Sequence, residues 1–369
     1  MTTRVGFIGT GLIAWYHAIM LGQCDEPHRI TGVFDPDVER RTKFAEAWDA
    51  VAARSMDAVL DESDAVFVCT WTSEHPAAVA ACVAAGLPVF CEKPLAVDLD
   101  GARAMAELVD RSSLVNMVGL VLRSQPALLA LREMVRDPSS GALMNVVFRD
   151  DQYIPVQGMY GSTWRADRAL AGSGTLLEHS IHDVDLLEWL CGPVASVSAH
   201  TSNHHGHDGI EDSVSALLRF EGGHTATLAS IWHDVLERPS LRRLEVFCRE
   251  RHLTLEREQA GPLHWERTGE VGSLEGDELR SWLADRGVTP TIAEDDFLRR
   301  VRCGDGGGEP AGPTFADALR AHELVDAIYR SAASGGAPVD VGRTAEERRR
   351  GSPKGEPEPK RRGHRGEPS

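Results

Sequence analysis

Lysine is nearly absent from this chain. Four lysines stand against 35 arginines in 369 residues, and two of the four, Lys354 and Lys360, sit in a polar C-terminal stretch. A surplus of basic charge is absent too. The net charge is −17, and because residues 341–369 hold nine Lys/Arg against five Glu, the remainder is near −21. That balance argues against nucleic acid as a partner. Paired cysteines are missing: Cys24, Cys69, Cys82, Cys91, Cys191, Cys248 and Cys303 form no C-x-x-C motif, and several lie in apolar runs. Reduced, packed thiols in a cytoplasmic protein fit this pattern better than a disulfide framework. No apolar stretch approaches the roughly 20 residues that span a bilayer. The chain enters a strand at once, at Arg4-Val5-Gly6-Phe7-Ile8, with no leading signal region. Neither a membrane partner nor secretion is expected. A P-loop and a Ser or Cys nucleophile motif are also absent. Residues 341–369 lack aromatics and have almost nothing to bury, which predicts a disordered tail.

What is present is ordinary for a soluble protein, with 42% hydrophobic and 26% charged residues, and the length leaves room for two domains. Over the first 122 residues, strand and helix patterns alternate. Strands are expected at Val5–Ile8, Ile30–Phe34, Ala65–Thr70, Pro88–Cys91 and Leu114–Leu122, with helices at Leu12–Gln23 and at about 37–48, 75–85 and 98–110. Repeated βα units imply a parallel sheet covered on both faces. The turn after the first strand reads Gly9-Thr10-Gly11-Leu12-Ile13-Ala14. Gly9 permits the tight turn, and Gly11 lets a pyrophosphate approach backbone N–H groups at a helix N-terminus. Asp35 ends the second strand, where a carboxylate can accept hydrogen bonds from an adenosine ribose and repel a 2′-phosphate. This favours NAD, with NADP as the alternative because Arg40 and Arg41 stand nearby. Cys91-Glu92-Lys93-Pro94-Leu95 stands at the end of the strand Pro88–Cys91. In a chain this poor in lysine, Lys93 points to a role that arginine cannot fill. An ammonium can share or lose a proton in a desolvated site, and a guanidinium stays charged.

With these pieces placed, the chain resembles the glucose–fructose oxidoreductase/inositol dehydrogenase (Gfo/Idh/MocA) family from about residue 4 to about 334. Glu92-Lys93-Pro94 resembles that family's signature, and His17 matches a recurrent position in the first helix. Thr70 and His75 fit the loop after the fourth strand, where Trp71-Thr72 replaces the usual Pro-Asn. Arg123 and Pro126 match the crossing between domains, and Trp164-Arg165 resembles a Trp-Arg pair near the active site. Gly172-Ser173-Gly174 through Asp185 resembles the glycine-led helix, with Glu178 in place of an Asp and with His182 and Asp185 matching. The resemblance implies a doubly wound parallel α/β Rossmann domain (1–122), then an α+β domain with a large, mainly antiparallel sheet (123–340). It implies Gly9, Thr10, Gly11, Leu12, Ile13, Asp35, Thr70, Trp71, His75, Glu92, Lys93, Trp164 and Arg165 around the cofactor. Lys93, His182 and Glu178 would be catalytic, and Arg123 and Asp185 would meet substrate. The expected activity is hydride transfer between NAD(P) and a secondary alcohol of a sugar, cyclitol or polyol, in a homo-oligomer (dimer or tetramer).

The residues support part of this independently. Spacings of four and three place Glu178, His182 and Asp185 on one helical face. An imidazole beside carboxylates can act as acid and base for an alcohol or ketone. Whether Lys93 or His182 accepts the proton stays open. Two rivals are an NAD-dependent hydrolase or lyase working through transient oxidation, and a dinucleotide- or sugar-sensing regulator. His200, His204, His205, His207 and Asp208 look like metal ligands, but most crowd one polar segment, so no metal is expected. Further strands are expected at 143–153, 194–202, 212–220, 224–232, 242–248 and 251–256, with helices at about 291–302 and 314–332 and a hairpin turn at Glu221-Gly222-Gly223.

Overall fold

The fold is described from a computed structural model that covers residues 2–257, 261–304 and 312–342. The first unit alternates β1 (Thr3–Ile8), α1 (Leu12–Leu21), β2 (His28–Phe34), α2 (Val38–Ala47), β3 (Val51–Ala52), α3 (Met56–Leu60), β4 (Ala65–Val68), α4 (His75–Ala84), β5 (Val89–Cys91), α5 (Leu99–Ser112) and β6 (Asn116–Val118). Its six strands are parallel, in the order β3-β2-β1-β4-β5-β6. β4 and β5 are buried along their whole length, as expected for strands covered on both faces. The order reverses between β1 and β4. In such sheets ligands bind beyond the carboxyl ends of the strands at that point, and Gly9 and Thr70 lie there.

The chain crosses over through Val121–Ser124 and α6 (Pro126–Arg136) to β7 (Leu143–Tyr153). Two short helices follow, α7 (Arg168–Ala171) and α8 (Thr175–Glu178), and then α9 (Ile181–Cys191). Next come β8 (Val194–Ser202), β9 (Ser213–Phe220), β10 (Thr225–His233), β11 (Leu241–Cys248), β12 (His252–Leu255), β13 (Leu263–Arg267), β14 (Glu270–Leu274), α10 (Gly276–Ala284), α11 (Ala293–Cys303), α12 (Phe315–Ala333) and β15 (Val339–Asp340). Among the described residues the second sheet has nine strands, ordered β14-β13-β12-β11-β7-β10-β9-β8-β15, and only β7 and β10 pair in parallel. β9 alternates strictly between buried and exposed. Val146, Phe148, Leu218, Leu228 and Leu244 point into the core, while Met144, Val147, Leu217 and Phe247 stay exposed on the other face. α9 and α12 cover the inner face, and α12 also packs against α5, so one helix ties the two units together.

Three expectations change. The segment 172–185 is not one helix: α8 ends at Glu178 and α9 starts at Ile181. Ser180 between them sits at φ −81°, ψ 6°, and its hydroxyl donates to Ser230 at 2.6 Å. The boundary at residue 122 also fails for one element. α11 returns to the first unit, where Phe297 meets Phe67 and Phe90 edge-on at 5.5 and 5.7 Å. Truncating a buried Phe of this kind costs about 3–5 kcal/mol, so α11 is an integral part of the first unit. The strand expected over Leu114–Leu122 shortens to Asn116–Val118, because Val121–Ser124 turns into the crossing. The hairpin β13–β14 and helix α10 were not anticipated. The expected disordered tail lies outside the described residues, apart from Val341 and Gly342. Both are bound, Val341 N–H to the Ala195 carbonyl at 2.9 Å and the Gly342 carbonyl to Arg320 at 2.7 Å.

Candidate active site

The glycine turn is built for close approach. Gly9 has φ +89°, and a Cβ there would lie 2.5 Å from the Cys69 carbonyl oxygen. Only glycine fits. A Cβ on Gly11 would meet nothing within 4 Å, and Gly11 N-caps α1 with no side-chain cap. The first N–H groups of α1 therefore face an open cradle that suits an anionic group. Leu12 and Ile13 stand exposed at its rim. Asp35 is buried against the turn: Oδ2 accepts from Thr10 N–H at 2.9 Å and Thr10 Oγ1 at 3.1 Å, and Oδ1 accepts from Asp37 N–H at 2.9 Å. Arg41 donates to the Asp35 carbonyl at 2.9 Å, and Arg40 leans on Asp37. Both arginines are thus engaged away from the Asp35 carboxylate.

β5 delivers Glu92 and Lys93 to the same edge. Glu92 is buried, and its Oε1 lies 2.9 Å from His17 Nε2. The other ring nitrogen, Nδ1, lies 2.6 Å from Glu294 Oε1 on α11. Burial opposes charge on His17, but the two carboxylates outweigh it and raise its pKa to about 9. A Cβ on Gly119 would fall 2.1 Å from Glu92 Oε1, so a glycine is needed beside this triad. Lys93 Nζ donates to the Glu178 main-chain carbonyl at 2.6 Å. Burial lowers the Lys93 pKa, while Glu178 and Glu92 hold it up. His75 Nδ1 is 2.8 Å from the Pro94 carbonyl and Nε2 is 3.2 Å from the Thr70 carbonyl, which ties the loop after β4 to the lysine turn.

The second unit meets the first at Gly172, while Gly174 packs against backbone inside the second unit. A Cβ on Gly172 would lie 2.3 Å from the Val97 carbonyl oxygen, and one on Gly174 would lie 1.8 Å from the Glu211 carbonyl oxygen. The segment that these glycines open carries Glu178, whose main-chain carbonyl meets Lys93. Glu178 is 2% exposed; its Oε1 accepts from Thr72 Oγ1 at 2.7 Å and its Oε2 from Arg165 Nε at 3.0 Å. Trp164 stacks on Trp71 across the cleft at 6.2 Å and 21°, with the Arg165 guanidinium 4.3 Å from the Trp164 ring. His182 Nδ1 is buried with no hydrogen-bond partner among the described residues. Burial, then the positive charges of Lys93 and Arg242, hold the His182 pKa well below its usual value. Asp185 does not join them. It is bound by Arg123 through Nη2 at 2.5 Å and Nε at 2.9 Å, and Arg123 also reaches Asp317 at 2.9 Å. The two residues expected to meet substrate instead meet each other, because a buried carboxylate needs a cationic partner.

Residues 3–120 match the family described as "Oxidoreductase family, NAD-binding Rossmann fold", and residues 128–254 match the GFO/IDH/MocA C-terminal domain. An inositol 2-dehydrogenase of Cereibacter sphaeroides is 30% identical over 349 residues, which cover 90% of this chain and 96% of that protein. The chain belongs to the Gfo/Idh/MocA family. It is an NAD-dependent oxidoreductase of that family, acting on CH–OH groups. The myo-inositol dehydrogenase Hyg17 of Streptomyces leeuwenhoekii is 30% identical over 350 residues, covering 91% of this chain and 99% of that one. The fold agrees with an inositol dehydrogenase homolog from Azotobacter vinelandii solved with NAD+ (TM-score 0.80, 21% identity, 92% of this chain and 97% of that one). It agrees equally with a levoglucosan dehydrogenase solved with NADH (TM-score 0.79, 20% identity, 93% of this chain and 100% of that one).

Within this Gfo/Idh/MocA chain, several polar residues near the cleft gave no usable sequence signal. Glu294 completes the His17 triad from 277 positions away. Under α9, Arg242 donates to Asp183 at 2.8 Å and lies 3.2 Å from Asp150, and His179 Nε2 lies 2.8 Å from Asp150. Burial, then the neighbouring Asp150, push the Asp183 pKa up to about 7. Asp183 and His179 stand inside the glycine-led motif and could have been flagged; Arg242 and Asp150 could not. The histidine-rich segment does not gather. His205 binds Asp212 at 2.6 Å and Asp234 at 3.2 Å, and among the described residues no group of three or more His, Cys, Asp or Glu is placed to hold a metal.

Proposed function

We propose that this protein interconverts a secondary alcohol and ketone of a cyclitol or related polyol, with NAD preferred over NADP. When bound, the nicotinamide supplies or removes the hydride. The observation that carries the reading is the buried His182 Nδ1, which has no hydrogen-bond partner among the described residues and lies close enough to Lys93 to feel its charge. Gly9, Thr10, Gly11 and the start of α1 would hold the pyrophosphate, and Asp35 would meet the adenosine ribose. Leu12, Ile13, Thr70, Trp71, His75, Glu92, Trp164 and Arg165 line or support the same cleft.

His182 stays neutral across the working range, because burial and the nearby cations disfavour imidazolium. The neutral imidazole takes the hydroxyl proton during oxidation, and the imidazolium so formed returns it in the reverse direction. The Lys93 ammonium stabilises alkoxide character on the same oxygen. The two roles can be exchanged without changing the stoichiometry. Asp185 and Arg123 support the floor of the site. The relatives named as inositol dehydrogenases make myo-inositol the first substrate to test. The exposed apolar residues Met144, Val147, Leu217 and Phe247 on the open sheet face suit a homo-oligomer interface. The seven free thiols suit a reducing, cytoplasmic compartment, and no helix among the described residues is long and apolar enough to cross a membrane. The test is a panel of cyclitols, polyols and keto-sugars followed at the nicotinamide absorbance with NAD and NADP. Reduction of NAD by at least one cyclitol or polyol supports the reading, and no turnover on the whole panel contradicts it.

A further inference from the structure

Glu178 is a junction between the two units. Its side chain reaches the loop after β4 through Thr72, and its main chain reaches the end of β5 through Lys93. Arg165, three residues into the stretch that precedes α7, holds the second carboxylate oxygen. Thr72 is 1% exposed and Glu178 is 2% exposed, so this contact excludes water. The flanking residues pair as well: Trp71 beside Thr72 stacks on Trp164 beside Arg165. Each oxygen of the carboxylate is engaged, and its side chain is 1% exposed, which leaves no face for substrate.

We infer that Glu178 is a positioning residue whose anchoring by Thr72 and Arg165 sets the place and the proton affinity of the Lys93 ammonium. This rests on the reading of Lys93 as the group beside the reacting oxygen. The carboxylate neither carries the proton nor binds the substrate. It fixes the carbonyl that Lys93 grips, and it supplies the negative charge that keeps Lys93 protonated against burial. Thr72 therefore acts on the chemistry from a position that touches neither substrate nor the reacting atoms. Removing its hydroxyl leaves a buried carboxylate oxygen without a donor, which costs more than the net worth of the bond. The carboxylate then has reason to move, and the carbonyl moves with it.

The scarcity of lysine makes this directly measurable. Outside the C-terminal stretch Lys43 and Lys93 are the only lysine side chains that an amine reagent can label, and Lys43 is exposed on α2. Reductive methylation followed by mass spectrometry reports Lys93 against Lys43 as an internal standard, with no need for turnover. The variants are Thr72→Val, Thr72→Ser and Glu178→Gln, with thermal melts to confirm folding. Thr72→Val should speed Lys93 labelling by about fivefold or more, the scale of one lost buried hydrogen bond. Thr72→Ser should restore the slow rate, and Lys43 should not change. In turnover, Thr72→Val should lower kcat by roughly tenfold with KM little altered, and Glu178→Gln should stay within about a hundredfold of wild type, since proton carriers contribute up to about ten-thousandfold. Unchanged Lys93 labelling in folded Thr72→Val overturns the inference. So does a loss of a thousandfold or more in Glu178→Gln with labelling as in wild type, which would make Glu178 the proton carrier. If no polyol is oxidised at all, the proposed function fails while the labelling result still stands or falls by itself.

Discussion

Lys93 Nζ donates to the main-chain carbonyl of Glu178 at 2.6 Å, across the junction of the two sheets. A lysine from the end of β5 is thereby held by the residue that ends α8. Its ammonium is partly withdrawn from water, and its neighbours on the second unit are charged or titratable. The position of Lys93 depends on the close approach of the second unit at Gly172, where a side chain would collide with the Val97 backbone. The two signature segments are separate in sequence and become one site only through that contact.

The pH dependence of turnover follows from the two shifted groups. His182 is depressed below 6.5, so the base form needed for oxidation is lost only as pH falls well below that value. Lys93 is depressed below 10.5, so its charge is lost as pH rises toward that value, earlier than for a free lysine. A profile of kcat/KM against pH should therefore be bell-shaped, with its acid limb below 6.5 and its alkaline limb below 10.5. Lys93→Arg should abolish the alkaline limb. An alkaline limb that persists in Lys93→Arg would assign it to another group.

Much of this was legible in the sequence where the signal is local. The strands 143–153 and 194–202 coincide with β7 and β8, because their alternation matches a half-buried sheet. Gly9 and Gly11 belong to one local turn, and Asp35 ends the next strand at the spacing of the dinucleotide fingerprint, so the three could be placed together. Contacts made by distant residues could not. Thr72 and Glu178 are 106 positions apart, and His17 and Glu294 are 277 apart. Glu178 and His17 stand out in the sequence, but their partners Thr72 and Glu294 read as ordinary polar positions until the fold closes. The break between α8 and α9 was hidden for the same reason, since the hydrogen bond of Ser180 goes to Ser230 on β10. β13 and β14 are largely exposed and carry little alternation to read.

Asp35 both faces the expected ribose site and holds the glycine turn through Thr10. Asp35→Ser should therefore do two things. NADH affinity should fall by roughly tenfold, since a hydrogen bond to a charged acceptor is worth about 1.5–3 kcal/mol. Preference over NADPH should shrink, because repulsion of a 2′-phosphate is removed. Fluorescence titration with both dinucleotides checks this. Tighter binding of NADPH than NADH by the unmutated protein would contradict the assignment.

The His17 triad predicts a stability change with pH. The folded pKa, about 9, lies above the ordinary 6.5. The contribution is fully present below 6.5 and is lost as pH rises through 9. Thermal melts between pH 6.5 and 9 should fall by several degrees in wild type and by much less in His17→Gln. Equal slopes in the two proteins would show that the histidine is neutral.

Gly9→Ala tests the turn itself. The positive φ and a Cβ 2.5 Å from a backbone oxygen leave no room for a methyl group. The variant should lose dinucleotide binding by about a hundredfold or more, on the scale of 1–3 kcal/mol of backbone strain added to a steric clash. Calorimetric titration with NADH measures it, and binding within about twofold of wild type would remove the turn from the cofactor site.

The central claim is that Lys93 and His182 share the proton and charge of one reacting oxygen. The decisive measurement is the single-turnover rate of NAD reduction, in the presence of a cyclitol or polyol that the wild type oxidises, for wild type, Lys93→Met, His182→Ala and the double variant. Each single variant should be slowed by about 100- to 10,000-fold. The double variant should be far less impaired than the product of the two, because groups acting as a unit are non-additive. Dinucleotide affinity should survive in His182→Ala, where the glycine turn and Asp35 are intact. A near-normal rate in His182→Ala, with dinucleotide and substrate bound, would contradict the account.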